Sequence, residues 1–161
     1  YEFKGFMGMR NFIIQDSEGR KLAWANSNWT HLDISTGLPA RLTPADTDNY
    51  VLGEKMEMDY APRKIKLPED MIAQEAFTVQ KHHLDTNHHV NNCQYVCMAE
   101  DFLPESFKIY QMRAEYKMQA KLGDVICPKV KTETDKVVVS LDNIEGKAYA
   151  IVEFLKKEGD I

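Results

Sequence analysis

Residues 82–92 read HHLDTNHHVNN, between a strand-like stretch, Ala76-Phe-Thr-Val-Gln80, and a stretch of helical period that begins after Asn91. Four of the chain's five histidines, one carboxylate and three asparagines are concentrated in this window. Downstream, Val96, Ala99 and Leu103 recur at spacings that share one helical face until Pro104 stops the pattern. The order predicts a strand interrupted by a polar loop that opens a short helix, and a short amphipathic helix needs a sheet to lie on.

That sheet is predicted on either side of the window. Lys108–Ala120, Val125–Thr134, Val137–Leu141 and Ala148–Lys156 read as four strands in meander, punctuated by Leu122-Gly-Asp, Asp135-Lys and Asn143-Ile-Glu-Gly. Upstream, Arg10-Asn-Phe-Ile-Ile-Gln15, the turn Asp16-Ser-Glu-Gly19 and a run from Lys21 to Ile34 make a hairpin, ended by Asp33-Ile-Ser-Thr-Gly37 and Pro39. In its second arm Leu22, Trp24, Asn26 and Asn28 share one face, and Ala23, Ala25, Ser27 and Trp29 the other. The small-residue face lets a helix approach closely. From Leu42 to Asp70 prolines and charges accumulate, which suggests a linker with a short helix around Pro44–Leu52. Segments 10–42 and 108–155 share a strand-turn-long-strand rhythm, so the chain reads as an α+β fold with a repeated unit whose first copy is incomplete. The expected division is 1–45, a linker at 46–70, and 71–161.

Composition narrows the function classes. The 161 residues are 43% hydrophobic and 28% charged, ordinary for a globular protein, with no apolar run approaching a transmembrane helix. A net charge of −5 disfavours a wide nucleic-acid surface, while a local basic patch facing an acidic partner is compatible with it. Three cysteines, Cys93, Cys97 and Cys127, argue for reduced thiols rather than a disulfide framework, and the N-terminus has neither a secretory nor a transit pattern, so the expected location is cytoplasmic.

The window offers three chemistries. As a metal site it is poorly arranged: adjacent histidines on an extended strand point to opposite faces, and the best donor set is Cys93 and Cys97, at i and i+4, beside His88 and His89. The alternative is that both thiols pack as small hydrophobes. As a catalytic loop, Asp85-x-Asn87-x-His89 places a carboxylate, an amide and an imidazole on one side of an extended segment, just ahead of a helix N-terminus with free amides. Imidazole and carboxylate can move a proton near neutral pH, and an amide can hold a water or a carbonyl, which are the parts for adding water to an acyl group. As a plain turn, Asp85-Thr86-Asn87 forms an Asx turn and Asn91 or Asn92 caps the helix.

LDTNHHVNNCQY resembles the L-D-x-N-x-H-V-N-N-x-x-Y signature of the acyl-acyl carrier protein thioesterases, which are built from tandem hotdog repeats. Arg10-Asn-Phe, Asp16-Ser-Glu-Gly19, Ala25-x-Ser27-x-Trp29 and Asp33-x-x-Thr36-x-x-Pro39 look like the family's first repeat, and Glu115-Tyr116-Lys117 with Leu122-Gly123-Asp124 like its second. The resemblance implies a hotdog fold, a curved antiparallel sheet wrapped on a central helix. It also implies a partial first repeat at 1–45, lacking its opening strand and helix, and a complete second repeat at 71–161. It makes Asp85, Asn87 and His89 the active-site trio. Plant members carry an acidic residue followed by cysteine at positions that correspond here to Gln119 and Ala120, so neither a cysteine nucleophile nor a water-activating carboxylate stands there. Gln119 is then expected to position the water, and no cofactor or metal is implied.

The implied substrate is a phosphopantetheine-linked acyl chain on acyl carrier protein, with the Ala23, Ala25 and Ser27 face and Met56, Met58, Met112 and Met118 as candidate tunnel linings against a reading as ordinary core. Because the carrier is acidic, Arg63-Lys64-x-Lys66 and Arg113, Lys117 and Lys121 are candidate docking groups. The alternatives are an acyl-CoA thioesterase, since fold does not fix function, and a non-catalytic acyl-binding or metal-binding hotdog module. The assembly left open is a homodimer.

Overall fold

A computed structural model describes residues 1–156 and separates the chain into two compact units, Tyr1–Pro62 and Arg63–Ile161. Residues 157–161, the end of the expected second repeat, lie outside the described residues.

The first unit is a three-stranded antiparallel sheet in the order β1 (Glu2–Lys4), β2 (Met7–Gln15), β3 (Lys21–Thr30). The predicted hairpin is present, with Asp16 holding its turn by accepting the Glu18 and Arg20 amides at 3.0 and 2.9 Å. β3 ends at Thr30 rather than Ile34, because the chain folds back through an isolated Leu32–Pro39 bridge. Ile13 pairs with Trp24 and Phe12 with Ala25, so the two tryptophans lie on opposite faces. On the Trp24 face the Asn11 side chain accepts the Met56 amide at 3.1 Å and donates to the Met58 sulfur at 3.6 Å. The other face carries Arg10 over the Phe12 and Trp29 rings. The helix expected from Pro44 to Leu52 is one turn, α1 (Pro44–Thr47); none of its residues is buried, so no packing extends it past its Thr43–Asp46 capping box.

The second unit contains the core. Two short strands, β4 (Ile72–Ala73) and β5 (Phe77–Thr78), precede helix α2 (Asn92–Glu100) and the long strands β6 (Ile109–Tyr116), β7 (Val125–Thr132), β8 (Lys136–Asp142) and β9 (Ala148–Lys156). The order is β4-β7-β8-β9-β6, with β5 also on β7. This corrects the four-strand meander: β6 does not neighbour β7 but pairs with β9 at the far edge. The physical reason is the helix. Chain leaving β5 at the β7 edge passes through α2 over the sheet and re-enters on the opposite side, after which β7, β8 and β9 fill the space by hairpins.

The register stacks Val130, Val139, Val152 and Ala114 in one row across β7, β8, β9 and β6. These residues face α2, which buries Tyr95, Met98 and Ala99 in the same cluster as Leu141 and Phe154. Of the predicted stripe, Ala99 is fully buried and Val96 and Leu103 pack partly buried against the same cluster, while Tyr95 and Met98 complete the contact face; the helix stops at Glu100, ahead of Pro104. Opposite faces of β8 are both covered, because Ile65 and Met71 cross the outer side of the sheet onto Val138 and Ile151. That double cover explains why Val137–Leu141, apolar except for Ser140, is buried throughout. The curved antiparallel sheet on one helix is the α+β hotdog architecture.

Candidate active site

The loop between β5 and α2 is a tight hairpin and not an extended segment. The Leu84–Val90 bridge closes it, the Asp85 amide donates to the His89 carbonyl at 2.8 Å, and the His88 amide donates to the Asp85 carbonyl at 3.1 Å. His88 sits at φ 61°, the left-handed conformation that follows a type I turn in a three-residue hairpin loop. Asp85, Asn87 and His89 therefore do not share a side through strand alternation. Asp85 and His89 meet because they are opposite one another across the hairpin, whereas Asn87 stands exposed at its tip.

The Asp85 carboxylate holds the turn: Oδ1 accepts the Asn87 amide at 2.8 Å and the His89 amide at 3.3 Å. This is the Asx turn anticipated from the sequence, and it uses one carboxylate oxygen; among the described residues nothing bonds the other. His89 is half-buried. Asn91 caps α2 by accepting the Cys93 amide at 2.9 Å, and the Gln94 amide returns to the Asn91 carbonyl at 2.9 Å. The first turn of α2 thus has fewer free amides than expected.

Two further expectations about the window change. His82 and His83 are in a 3-10 turn (Lys81–His83), not on a strand, and their rings meet edge to face at 4.1 Å between centroids. His83 Nδ1 accepts the Gln80 amide at 3.0 Å, and burial followed by the neighbouring His82 holds its imidazole below the ordinary value. Cys93 and Cys97 are exposed, not packed as core thiols; burial and the Cys93 thiol push Cys97 up. Among the described residues no three histidine, cysteine or carboxylate side chains converge on a metal position.

The segment after β6 passes directly beside the loop. His89 forms a bridge with Lys121, and the Val90 amide donates to the Ala120 carbonyl at 2.9 Å. Gln119 is exposed and Ala120 is fully buried. The structure therefore brings Asp85, His89 and the Gln119–Lys121 segment together, with Asn87 at the rim. One contact had no counterpart in the sequence reading: the buried Tyr95 hydroxyl accepts the Ala120 amide at 2.8 Å. The sequence signal for it was a tyrosine on a helical core face, where a phenolic oxygen must find a partner.

Other expected groups disperse. Arg113 is bound to Glu153 at 2.7 Å and Lys117 lies 3.6 Å from Glu115, and both follow the outer side of the sheet. Met118 packs on the core, Met112 is exposed, and Met56 and Met58 belong to the first unit. A cavity of about 440 Å³ opens on the outer side between Leu67–Met71 and Lys117, Lys129 and Asp142; no residue of the 82–92 loop lines it. Among the described residues no helix is long and apolar enough to cross a membrane.

Residues 65–154 match the sequence profile of the acyl-ACP thioesterase C-terminal domain. The chain belongs to the acyl-ACP thioesterase family. Its fold is similar to that of an acyl-ACP thioesterase from Bacteroides thetaiotaomicron (TM-score 0.83, 19% identity, 97% of this chain and 65% of that one). It is also similar to a 12:0-ACP thioesterase from Umbellularia californica (TM-score 0.81, 17% identity, 97% and 64%) and to a putative oleoyl thioesterase from Lactobacillus plantarum (TM-score 0.73, 20% identity, 97% and 66%). The chain thus spans just under two thirds of the length of these relatives. No curated protein sequence matches it.

Proposed function

We propose that this chain hydrolyses the thioester of an acyl chain carried on acyl carrier protein, releasing a free fatty acid in a cytoplasmic setting. The observation that supports it best is the meeting of Asp85 and His89 across a hairpin that is itself paired to the Gln119–Lys121 segment, inside the family-matched residues. In this reading Gln119 holds a water, and Asp85 and His89 share the tasks of orienting it and taking its proton. The water oxygen attacks the thioester carbonyl carbon, Asn87 holds the carbonyl or thioester, the C–S bond breaks, and the thiolate leaves with the proton. Ala120 lacks a nucleophilic atom, so water attacks directly without an acyl-enzyme at that position.

Release of free fatty acid from a carrier-bound acyl series tests this. Asp85→Ala should lower kcat by at least about a hundredfold, the scale of a lost proton-transfer group; full activity in Asp85→Ala would remove the assignment. The carrier is distinguished from CoA by charge. Lys121 is the better candidate for an acidic carrier, because Arg113 is engaged by Glu153 and Lys117 lies beside Glu115, so reversing either would place two carboxylates together. Lys121→Glu should raise KM for acyl carrier protein several-fold, up to about tenfold, and spare acyl-CoA; equal effects on the two substrates would favour acyl-CoA.

A further inference from the structure

The main chain of Ala120 is held from two directions. Its N–H donates to the Tyr95 hydroxyl on α2 at 2.8 Å, and its carbonyl accepts the Val90 amide at 2.9 Å. Just beyond, the Lys121 amide donates to Asp124 Oδ2 at 2.9 Å, and the Tyr149 hydroxyl lies 3.4 Å from the same oxygen. Tyr95 is 2% exposed and Ala120 is not exposed at all. β6 ends at Tyr116, and the Lys117 and Met118 amides still donate to the Tyr149 carbonyl of β9 at 2.8 and 3.2 Å; among the described residues no main-chain bond to β9 holds Gln119 or Ala120. Side chains on an extended segment alternate, and a slip of one residue would exchange the exposed Gln119 for the buried Ala120.

We propose that Tyr95 is a positioning residue for the hydrolytic site: its hydroxyl fixes the Gln119–Ala120 peptide so that Gln119 faces the Asp85–His89 hairpin. The inference rests on the proposed role of Gln119. It goes beyond it by assigning the phase of that segment to a helix side chain that touches no reacting atom. Burial pushes the Tyr95 phenol up, which keeps it a neutral hydroxyl while it accepts the amide. A phenylalanine would fill the same volume and leave the Ala120 N–H buried without an acceptor.

The test is Tyr95→Phe in the full chain, alone and with Gln119→Ala, read by kinetics on carrier-bound acyl substrate and by amide hydrogen exchange at Ala120. Tyr95→Phe should speed Ala120 exchange by about tenfold or more, the scale of a lost buried acceptor. It should lower kcat by about tenfold with KM within about twofold, and should cost nothing further in the Gln119→Ala background. Unchanged exchange at Ala120, or an equal loss of kcat in both backgrounds, would overturn the proposal and leave Tyr95 as core packing. Should Tyr95→Phe not fold, 3,5-difluorotyrosine at position 95 weakens the acceptor without changing its place. A graded loss of kcat with faster Ala120 exchange then supports the proposal, and no response overturns it. Failure of the hydrolase reading looks different: the wild-type chain releases no fatty acid, while Ala120 exchange still responds to the position 95 change.

Discussion

The two units of this chain are antiparallel sheets with opposite relations to their side chains. In the second unit the sheet has a helix on one side and the Ile65–Met71 segment on the other, and Val137, Val139, Val152 and Phe154 are sealed between layers. In the first unit the strands pair as regularly, yet Ile14 is 62%, Trp24 53% and Trp29 54% exposed. Strand pairing alone therefore makes a sheet without making a core. Burial, which supplies most of the favourable free energy of folding, comes from what lies on the sheet.

The contrast can be broken by truncation. Phe154→Ala, at a fully buried position, should destabilise the second unit by about 3–5 kcal/mol, read as a lowered urea midpoint. Ile14→Ala, in the first unit, removes nearly as apolar a group and should change stability by no more than about 0.5 kcal/mol. Comparable losses at the two positions would mean that the first sheet is as well covered as the second. A smaller effect sharpens the comparison at the loop. Neutral His83 accepts the Gln80 amide, and its folded value lies below the ordinary 6.5. The unfolded chain takes up this proton first, so the stabilisation is present above about pH 6.5 and is lost as pH falls through the lowered folded value. His83→Asn keeps an acceptor without titrating. It should flatten the fall in urea midpoint between about pH 7 and pH 5; an unchanged slope would place the titrating group elsewhere.

What was readable from sequence follows the range of the interactions. The β2–β3 hairpin and the α2 helix were legible because their signals are local: a turn rich in Asp, Ser and Gly, an Asn cap, a helical period. The family was legible in the same window. The position of β6 was not, because its pairing with β9 joins residues some forty apart and no local pattern distinguishes it from a meander. The hairpin at 85–89 was missed as a shape, although its Asx turn was foreseen, since a non-glycine residue at positive φ such as His88 is uncommon. Arg113 read as a docking group because sequence displays its charge and not its partner; Glu153 faces it only through the β6–β9 register.

The Asp85–His89 hairpin has one more consequence. The turn bonds inside it join main chain to main chain or to the Asp85 carboxylate; Thr86 and His88 lend no side chain to them. The turn is thus a cassette whose frame needs the Asp85 carboxylate and a positive φ at position 88, and leaves position 86 as decoration. Substitution at position 86, with Asp85 and His89 kept, leaves the frame in place, whereas position 88 belongs to the frame and takes residues that accept positive φ, such as Gly or Asn.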